Sequence, residues 1–235
     1  MDRRRRLGKN FPPAPCSLSF QSNCTGGPAG DGGKRAVVAI EIEKIDGRRA
    51  RGLRTRDAVI SALLDLVASG DLAPTAQRIA DRAGVSVRSV YQHFADVEGL
   101  YADAAERTYE WVRETAKSID TSLPLTKRVE TFVETRANTL ETLLPFHRAV
   151  RLMEPTSDRV RTYRLAMEKW EKDRIGKAFA RELRPMDASA RSTVLAGIDV
   201  LASADSWDHM RRNGQSARAA RQVLRTGILL LLASG

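Results

Sequence analysis

Residues 80–90 read ADRAGVSVRSV, and this stretch decides the fold of the chain. Two helices joined by so short a turn cross steeply, so the first helix needs a small residue at the crossing, and Ala80 is one. The turn needs a residue that tolerates a left-handed backbone, which Gly84 supplies. Val90 then points back towards the first helix. This Ala-x3-Gly-x5-Val spacing is typical of a DNA-binding helix-turn-helix, and a tight helical hairpin of another kind is the alternative.

Helical patterns continue on both sides of this stretch. Apolar residues recur every three or four positions over residues 59–67, which indicates one buried helix face. We expect Thr55 to cap that helix and Gly70 to end it. Thr75 and Ser86 are then expected to cap the two helices of the motif. Prolines bound the later helices, and a last helix should cover residues 216–232; the prolines are Pro124, Pro145, Pro155 and Pro185.

These patterns predict an all-α protein of about nine helices with no convincing sheet. The predicted order is a disordered basic arm over residues 1–50, a helix-turn-helix domain over residues 51–100, and a larger helical domain over residues 101–235. The domain over residues 51–100 should hold three helices. The larger domain is expected to hold a ligand pocket and to dimerise.

The charge of the chain is concentrated in its first quarter. The 235 residues carry 39 basic and 29 acidic side chains, a net charge of +10. Twelve Lys/Arg and five Asp/Glu lie in residues 1–55, so this segment holds +7 and the remainder +3. Glycines and prolines break any helical period in the arm, which favours disorder. A basic arm on a nearly neutral body indicates a polyanionic partner, nucleic acid before a membrane surface.

Several classes of protein are excluded by what the sequence lacks. Cys16 and Cys24 have no further ligands at metal spacing, so neither a zinc site nor a disulfide scaffold organises the fold. No apolar run approaches the roughly 20 residues of a membrane span, and Arg3–Arg6 lack the apolar stretch of an export signal. No nucleophile elbow, nucleotide loop or zinc-binding helix motif is found. We therefore expect a cytoplasmic protein that is not an enzyme and has no metal or cofactor.

Beyond the general motif, the sequence resembles a known family. Four segments resemble the N-terminal domain of TetR-family transcriptional repressors: Ile79-Ala80, Ala83-Gly84-Val85-Ser86, Val90-Tyr91-Gln92-His93-Phe94 and Glu98-Gly99-Leu100. The resemblance covers about residues 55–101, and the end of the chain, from Trp207 onwards, is loosely similar to the family's last two helices. It implies an all-α homodimer with a small DNA-binding domain and a larger domain that dimerises and often holds a ligand.

One position departs from the family pattern, because Val97 stands where its members usually carry a phosphate-binding lysine. Residues 55–100 hold four arginines against six acidic residues, a net charge of −2. We therefore expect the preceding arginines to contribute more of the phosphate attraction than usual. These are Arg48, Arg49, Arg51 and Arg54.

The predicted DNA contacts lie on the two helices of the motif. Val87, Arg88 and Ser89 occupy the first turn of the recognition helix, the part that enters the major groove. Arg88 is expected to bond a guanine, with a phosphate contact or a solvated side chain as equal alternatives. By resemblance, Tyr91 and His93 contact phosphates, and a plain core aromatic is the alternative for Tyr91. The remaining predicted contacts are Thr75, Gln77, Ser86 and Gln92.

The larger domain offers two predicted surfaces. Large side chains could line an apolar pocket or simply form a core, and the predicted pocket residues are Tyr109, Trp111, Phe132, Phe146, Tyr163, Met167 and Trp170. Asp199 could pair with a cationic ligand, with a solvated face as the stronger alternative. Two apolar helix faces could form a dimeric four-helix bundle, and their residues are Val194, Ile198, Leu201, Val223, Ile228 and Leu231.

The predicted function is sequence-specific regulation of transcription. We expect a homodimer that binds a palindromic operator in double-stranded DNA as a repressor and is released by a small apolar or aromatic ligand. The alternative is a constitutive or sequence-indifferent DNA-binding dimer without a ligand. A single preferred site with a large specificity ratio would separate the two.

Overall fold

The computed structural model describes the backbone of residues 32–234 and the side chains of residues 49–234. The described residues form ten α-helices, against about nine expected, with one short 3-10 turn and no strand. The predicted all-α class is confirmed. The helices are α1 Gly32–Ala68, α2 Ala76–Ala83, α3 Val87–His93, α4 Val97–Thr115, α5 Leu125–Met153, α6 Asp158–Ala178, α7 Ala180–Leu183, α8 Ala188–Leu201, α9 Ala204–Arg212 and α10 Ala217–Ala233.

The described residues separate into two compact units. The first contains α1 to Ser69 and Pro74–Val97, and therefore the whole helix-turn-helix. The second contains the connecting residues Gly70–Ala73 and the chain from Glu98 onwards. The change from one unit to the other thus falls after residue 97.

Helix α1 begins earlier than the sequence analysis expects. Thr55 is not a helix cap but lies inside α1, where its hydroxyl donates to the carbonyl of Arg51 at 3.1 Å. Residues 32–50, expected to belong to the disordered arm, are helical. No proline occurs between Pro28 and Pro74, so no residue in this segment lacks the backbone donor that a continuous helix needs. The rest of the expected arm, residues 1–31 with both cysteines, lies outside the described residues.

Polar caps begin six of the helices. In each case a side-chain oxygen accepts a hydrogen bond from the backbone N–H three residues later, which satisfies a donor that the helix leaves open. The caps are Thr75, Ser86, Ser157, Asp187, Ser203 and Ser216. Gly70 and Gly84 end α1 and α2 with φ of +103° and +69°, in the left-handed region. The structure thus confirms the predicted caps Thr75 and Ser86 and both glycine stops.

Helix α5 continues through a proline that was expected to end it. Pro145 lies inside Leu125–Met153, where it removes one backbone donor. Leu144 and Phe146 are buried on either side of it. Packing in the interior holds the helix both before and after Pro145. This packing outweighs the roughly 3 kcal/mol that an internal proline costs.

Two apolar clusters form the core of the second unit. One surrounds Phe132, whose ring packs edge-on against Phe179 with centroids 5.6 Å apart. The other surrounds Trp207, which is fully buried and donates its indole N–H to Glu141 at 2.8 Å. Within the described part of the chain, no helix combines the length and apolar character needed to cross a membrane.

Candidate DNA-binding face and ligand cavity

The turn between α2 and α3 has the geometry that the motif requires. Ala80 is completely buried, as a small residue at a helix crossing must be, and so is Ile79. The N–H of Val85 donates to the carbonyl of Ala80 at 3.0 Å, which closes the end of α2 around Gly84. Val90 packs inwards from α3 with 2% of its surface exposed. The buried side of α3 is therefore fixed, and its opposite side faces outwards.

The outer side of α3 presents polar side chains to solvent. Arg88 and Gln92 are exposed, and Tyr91 is 51% exposed, so the core alternative for this tyrosine is wrong. Val87, Ser89 and His93 are half-buried. The side chain of Ser86 accepts the N–H of Ser89 at 3.1 Å and so holds the first turn. The structure brings these predicted contacts together on one short, capped helix.

The predicted contacts on α2 are exposed but already hydrogen-bonded within their own helix. The hydroxyl of Thr75 accepts the N–H of Arg78 at 3.3 Å. The amide of Gln77 donates to Asp81 at 2.8 Å. Because the amide of Gln77 has two N–H donors, this bond does not by itself prevent contact with a phosphate.

Of the four predicted arginines, Arg49, Arg51 and Arg54 are exposed on α1. The side chain of Arg48 lies outside the described side chains. These positions belong to the same compact unit as α3.

Arg56 holds the end of the recognition helix, a role that the sequence analysis missed. Its guanidinium donates to the carbonyl of His93 at 3.0 Å and lies 4.8 Å from the centre of the Phe94 ring. A bond to the last residue of α3 satisfies a carbonyl that the helix leaves open. Since 37 positions separate the two residues, no local pattern could have revealed this contact.

A cavity of about 480 Å³ lies in the second unit, walled by α4, α5, α6, α8 and α9. Three predicted pocket residues line it: Phe146, Tyr163 and Met167. Further apolar walls come from Leu140, Leu143, Val150 and Val200. Its volume falls within the range of small-molecule sites.

The other four predicted pocket residues do not line this cavity, and their assignment is corrected. Phe132 is buried in the core against Phe179. Arg113 lies over the ring of Tyr109, and Arg174 lies over that of Trp170 at 4.9 Å. Trp111 is half-buried on α4 away from the cavity wall. Helical spacing gives a residue's face on its own helix, but not whether that face meets a cavity or another helix.

The cavity wall also carries charged residues, most of which form ion pairs. Arg136 pairs with Glu171 at 2.8 Å and donates to the carbonyl of Ala202 at 2.8 Å. Burial lowers the pKa of Arg136, against the raising effect of Glu171. His147 contacts Asp205 at 3.0 Å. The sequence analysis did not place Arg136 and Glu171 at a site, since nothing in their spacing shows that they meet.

Arg164 joins a second charged group in the wall. It pairs with Glu168 at 2.5 Å and with Glu154 at 2.6 Å. No group of three or more His, Cys, Asp or Glu among the described side chains is arranged to hold a metal.

Half of the predicted dimer residues belong to the interior of their own chain. Val194, Ile198 and Ile228 are buried in the apolar cluster around Phe132, so their assignment to a dimer surface is corrected. Leu201 and Leu231 are partly buried against the same cluster. One side of helix α10, with Leu224, Ile228 and Leu232, is buried in the core.

The opposite side of α10 leaves large apolar groups exposed. Val223 is 43% exposed and Leu230 is 65% exposed. Seven positions separate them, which puts both on one face of the helix. We call these two residues the outer apolar face.

The buried framework and the exposed side of α3 together form a helix-turn-helix. Residues 59–104 match the sequence model of the bacterial regulatory proteins of the tetR family. This match confirms the resemblance seen in the sequence, and most of the matched stretch lies in the first unit. The chain is thus a DNA-binding transcriptional regulator.

The fold is also similar to a solved structure. The crystal structure of a transcriptional regulator from Rhodococcus sp. Rha1 superposes with a TM-score of 0.62 at 14% sequence identity. The similarity covers 76% of this chain and 96% of that chain, so the likeness of fold extends well beyond the DNA-binding domain. No curated protein matches the sequence.

Proposed function

We propose that the chain is a homodimeric repressor that binds a palindromic operator through residues 86–93 and is released by a small ligand. The observation that carries this proposal is the division of α3 into a buried side at Val90 and an exposed side with Arg88, Tyr91 and Gln92. Arg88 supplies the base contact, because arginine bonds the edge of guanine bidentately. Tyr91 and His93 contact the backbone and fix the register.

The proposed sequence specificity of DNA binding requires a dimer. One helix-turn-helix reads only a few base pairs, so a second copy related by symmetry is needed to define a site. The outer apolar face of α10 offers a surface for the second copy. Two chains that pair through α8 and α10 of each copy form a four-helix bundle.

The cavity supplies the place for a ligand. Its apolar wall with a few polar groups is typical of small-molecule sites, and Phe146, Tyr163 and Met167 favour an apolar or aromatic ligand. A ligand that binds one state of the dimer more tightly than the other shifts the population towards it. The change in operator affinity cannot exceed that difference in ligand affinity.

Binding-site selection with the full-length protein, followed by titration of the selected duplex, tests the DNA-binding assignment. We expect Arg88→Ala to relax preference at one or two base pairs by about 1–3 kcal/mol. Tyr91→Ala should weaken binding to all sequences alike, because a phosphate contact carries no sequence information. Arg161→Ala is the matched control, since it removes an exposed arginine from α6 in the second unit.

Two outcomes would contradict the proposal. If both variants bind the selected duplex like the parent protein, the recognition helix is assigned wrongly. If selection yields no preferred site, the chain is the sequence-indifferent alternative, which the +7 charge of residues 1–55 favours.

A further inference from the structure

Among the charged side chains that line the cavity, Asp199 differs from the others. Arg136, Arg164 and His147 each contact an acidic partner. The other three carboxylates of the wall, on Glu168, Glu171 and Asp205, are those partners. Asp199 lines the same cavity but forms no salt bridge with any described side chain.

The surroundings of Asp199 disfavour a negative charge that lacks a partner. Asp199 lies on α8 directly after Ile198, which is fully buried, and is itself half-buried. Burial raises the pKa of Asp199, and the neighbouring Glu168 and Glu171 raise it further. Lys172 and Arg136 act in the opposite direction without pairing with it. A cation brought into contact with this carboxylate would therefore stabilise its charged form further than Lys172 and Arg136 do.

The apolar and aromatic residues of the cavity wall indicate what kind of molecule should carry the cation. Leu140, Phe146 and Met167 provide apolar surface, and Tyr163 adds a second aromatic ring. Aromatic rings attract cations through their faces as well as packing against apolar groups. The volume of about 480 Å³ accommodates an organic molecule rather than an inorganic ion.

We propose that the effector is an amphipathic organic cation, an ammonium group on an apolar or aromatic body, whose charged group pairs with Asp199. This inference rests on the proposed ligand-responsive function and names the chemical class of its ligand. The existing ion pairs of the wall stay in place, and the ligand supplies a cation for Asp199.

A charged probe and its uncharged isostere test this assignment directly. The charged probe is a naphthylethyl trimethylammonium ion, and the isostere has carbon in place of its nitrogen. Calorimetric titration of the full-length protein without DNA should show the cation binding about tenfold or more tightly than the isostere, which is within the range of an ion pair formed at a half-buried carboxylate. Asp199→Asn should remove this preference and leave binding of the isostere unchanged.

The control is Asp173→Asn, which neutralises an exposed carboxylate on α6 outside the cavity wall and should keep the preference. Asp199→Asn keeps the side-chain shape and breaks no salt bridge, so its melting temperature should not fall. If the parent protein binds both probes equally, or neither, the inference is overturned.

The readout also separates this inference from the proposed function. Preferential binding of the cation without any change in operator affinity would support the site and overturn release by a ligand at this cavity. Operator release by the uncharged isostere alone would support release by a ligand at this cavity and would overturn the pairing of a cation with Asp199.

Discussion

Two tyrosines with the same side chain have different surroundings and therefore different roles. Tyr91 is 51% exposed on α3, and we propose that its hydroxyl contacts a phosphate. Tyr101 is 1% exposed on α4, and its hydroxyl donates to the carbonyl of Leu72 at 2.9 Å. Burial, with the charge of Asp71, raises the pKa of Tyr101 to about 12. The phenol of Tyr101 thus stays protonated and ties the connecting residues Gly70–Ala73 to α4.

This pKa shift predicts a pH dependence that Tyr101→Phe should remove. In the unfolded chain a phenol titrates near pH 10, so the stability contributed by Tyr101 is complete below about pH 10 and is lost as the pH rises to about 12. At pH 8 the variant should be less stable by about 1 kcal/mol, because the hydrogen bond is gone. Urea unfolding between pH 8 and pH 12 should show this difference shrinking.

The exposed Tyr91→Phe is the control, and its stability at pH 8 should equal that of the parent protein. Parallel stability curves for Tyr101→Phe and the parent would show that the phenol does not titrate as expected.

At the scale of the helices, α8 and α10 cross at two glycines. A Cβ atom on Gly227 would lie 2.6 Å from Cδ1 of Leu201, and one on Gly197 would lie 3.0 Å from Cδ1 of Leu231. Each glycine therefore makes room for a leucine of the other helix.

Gly227→Ala should lower the free energy of unfolding. Alanine is favoured over glycine in a helix by up to about 1 kcal/mol, but forcing Leu201 aside costs about 1–3 kcal/mol, so the net change is a loss. Gly176→Ala on α6 is the matched control, since its nearest neighbour would be an ordinary contact at 4.0 Å and only the helical gain remains. Urea midpoints should therefore move in opposite directions.

Adding Leu201→Ala to Gly227→Ala tests the cause. The second substitution removes the atom that the new Cβ meets, so it should cost less beside Gly227→Ala than in the parent protein. Strictly additive effects would show that Leu201 is not the obstacle.

The helix pattern was largely predictable from the sequence because its determinants are local. Thr75 and Ser86 cap helices through bonds to residues three positions away, and Gly84 ends α2 through its own backbone. Two features of the helices were not predictable. The early start of α1 depends on the absence of a helix-breaking proline, and the passage of α5 through Pro145 depends on packing against residues far away in the sequence. The candidate site was predictable only where local sequence determines it. Arg88 and Tyr91 follow from the motif, whereas the partners of Arg56 and Arg136 are far away in the sequence.

At the scale of the whole molecule, the outer apolar face of α10 predicts the oligomeric state. Val223→Glu and Leu230→Glu should each weaken the proposed dimer, because a charge buried in an apolar interface has no partner. Sedimentation of the parent protein at micromolar concentration should give a dimer, and the doubly substituted protein should give a monomer. Operator affinity should fall with the loss of the dimer.

Leu165→Glu is the control for this prediction. Leu165 is 49% exposed on α6, outside α8 and α10, so a charge there should leave the dimer intact. A monomeric parent protein, or a doubly substituted protein that remains a dimer, would exclude pairing through α10.

The six polar caps have a consequence for how quickly the chain reaches its fold. Each cap fixes the start of its helix through a hydrogen bond to a residue three positions later. A helix that packs against its neighbour in a shifted position must therefore either lose its cap or place the wrong residues in the core. Few such mispaired states are close in free energy to the native state. Caps that favour the same helices as the final packing therefore reduce the number of kinetic traps during folding. We therefore expect the capped helices to form within microseconds, well before the slower docking of α5, α8 and α10 around Phe132 limits the folding rate.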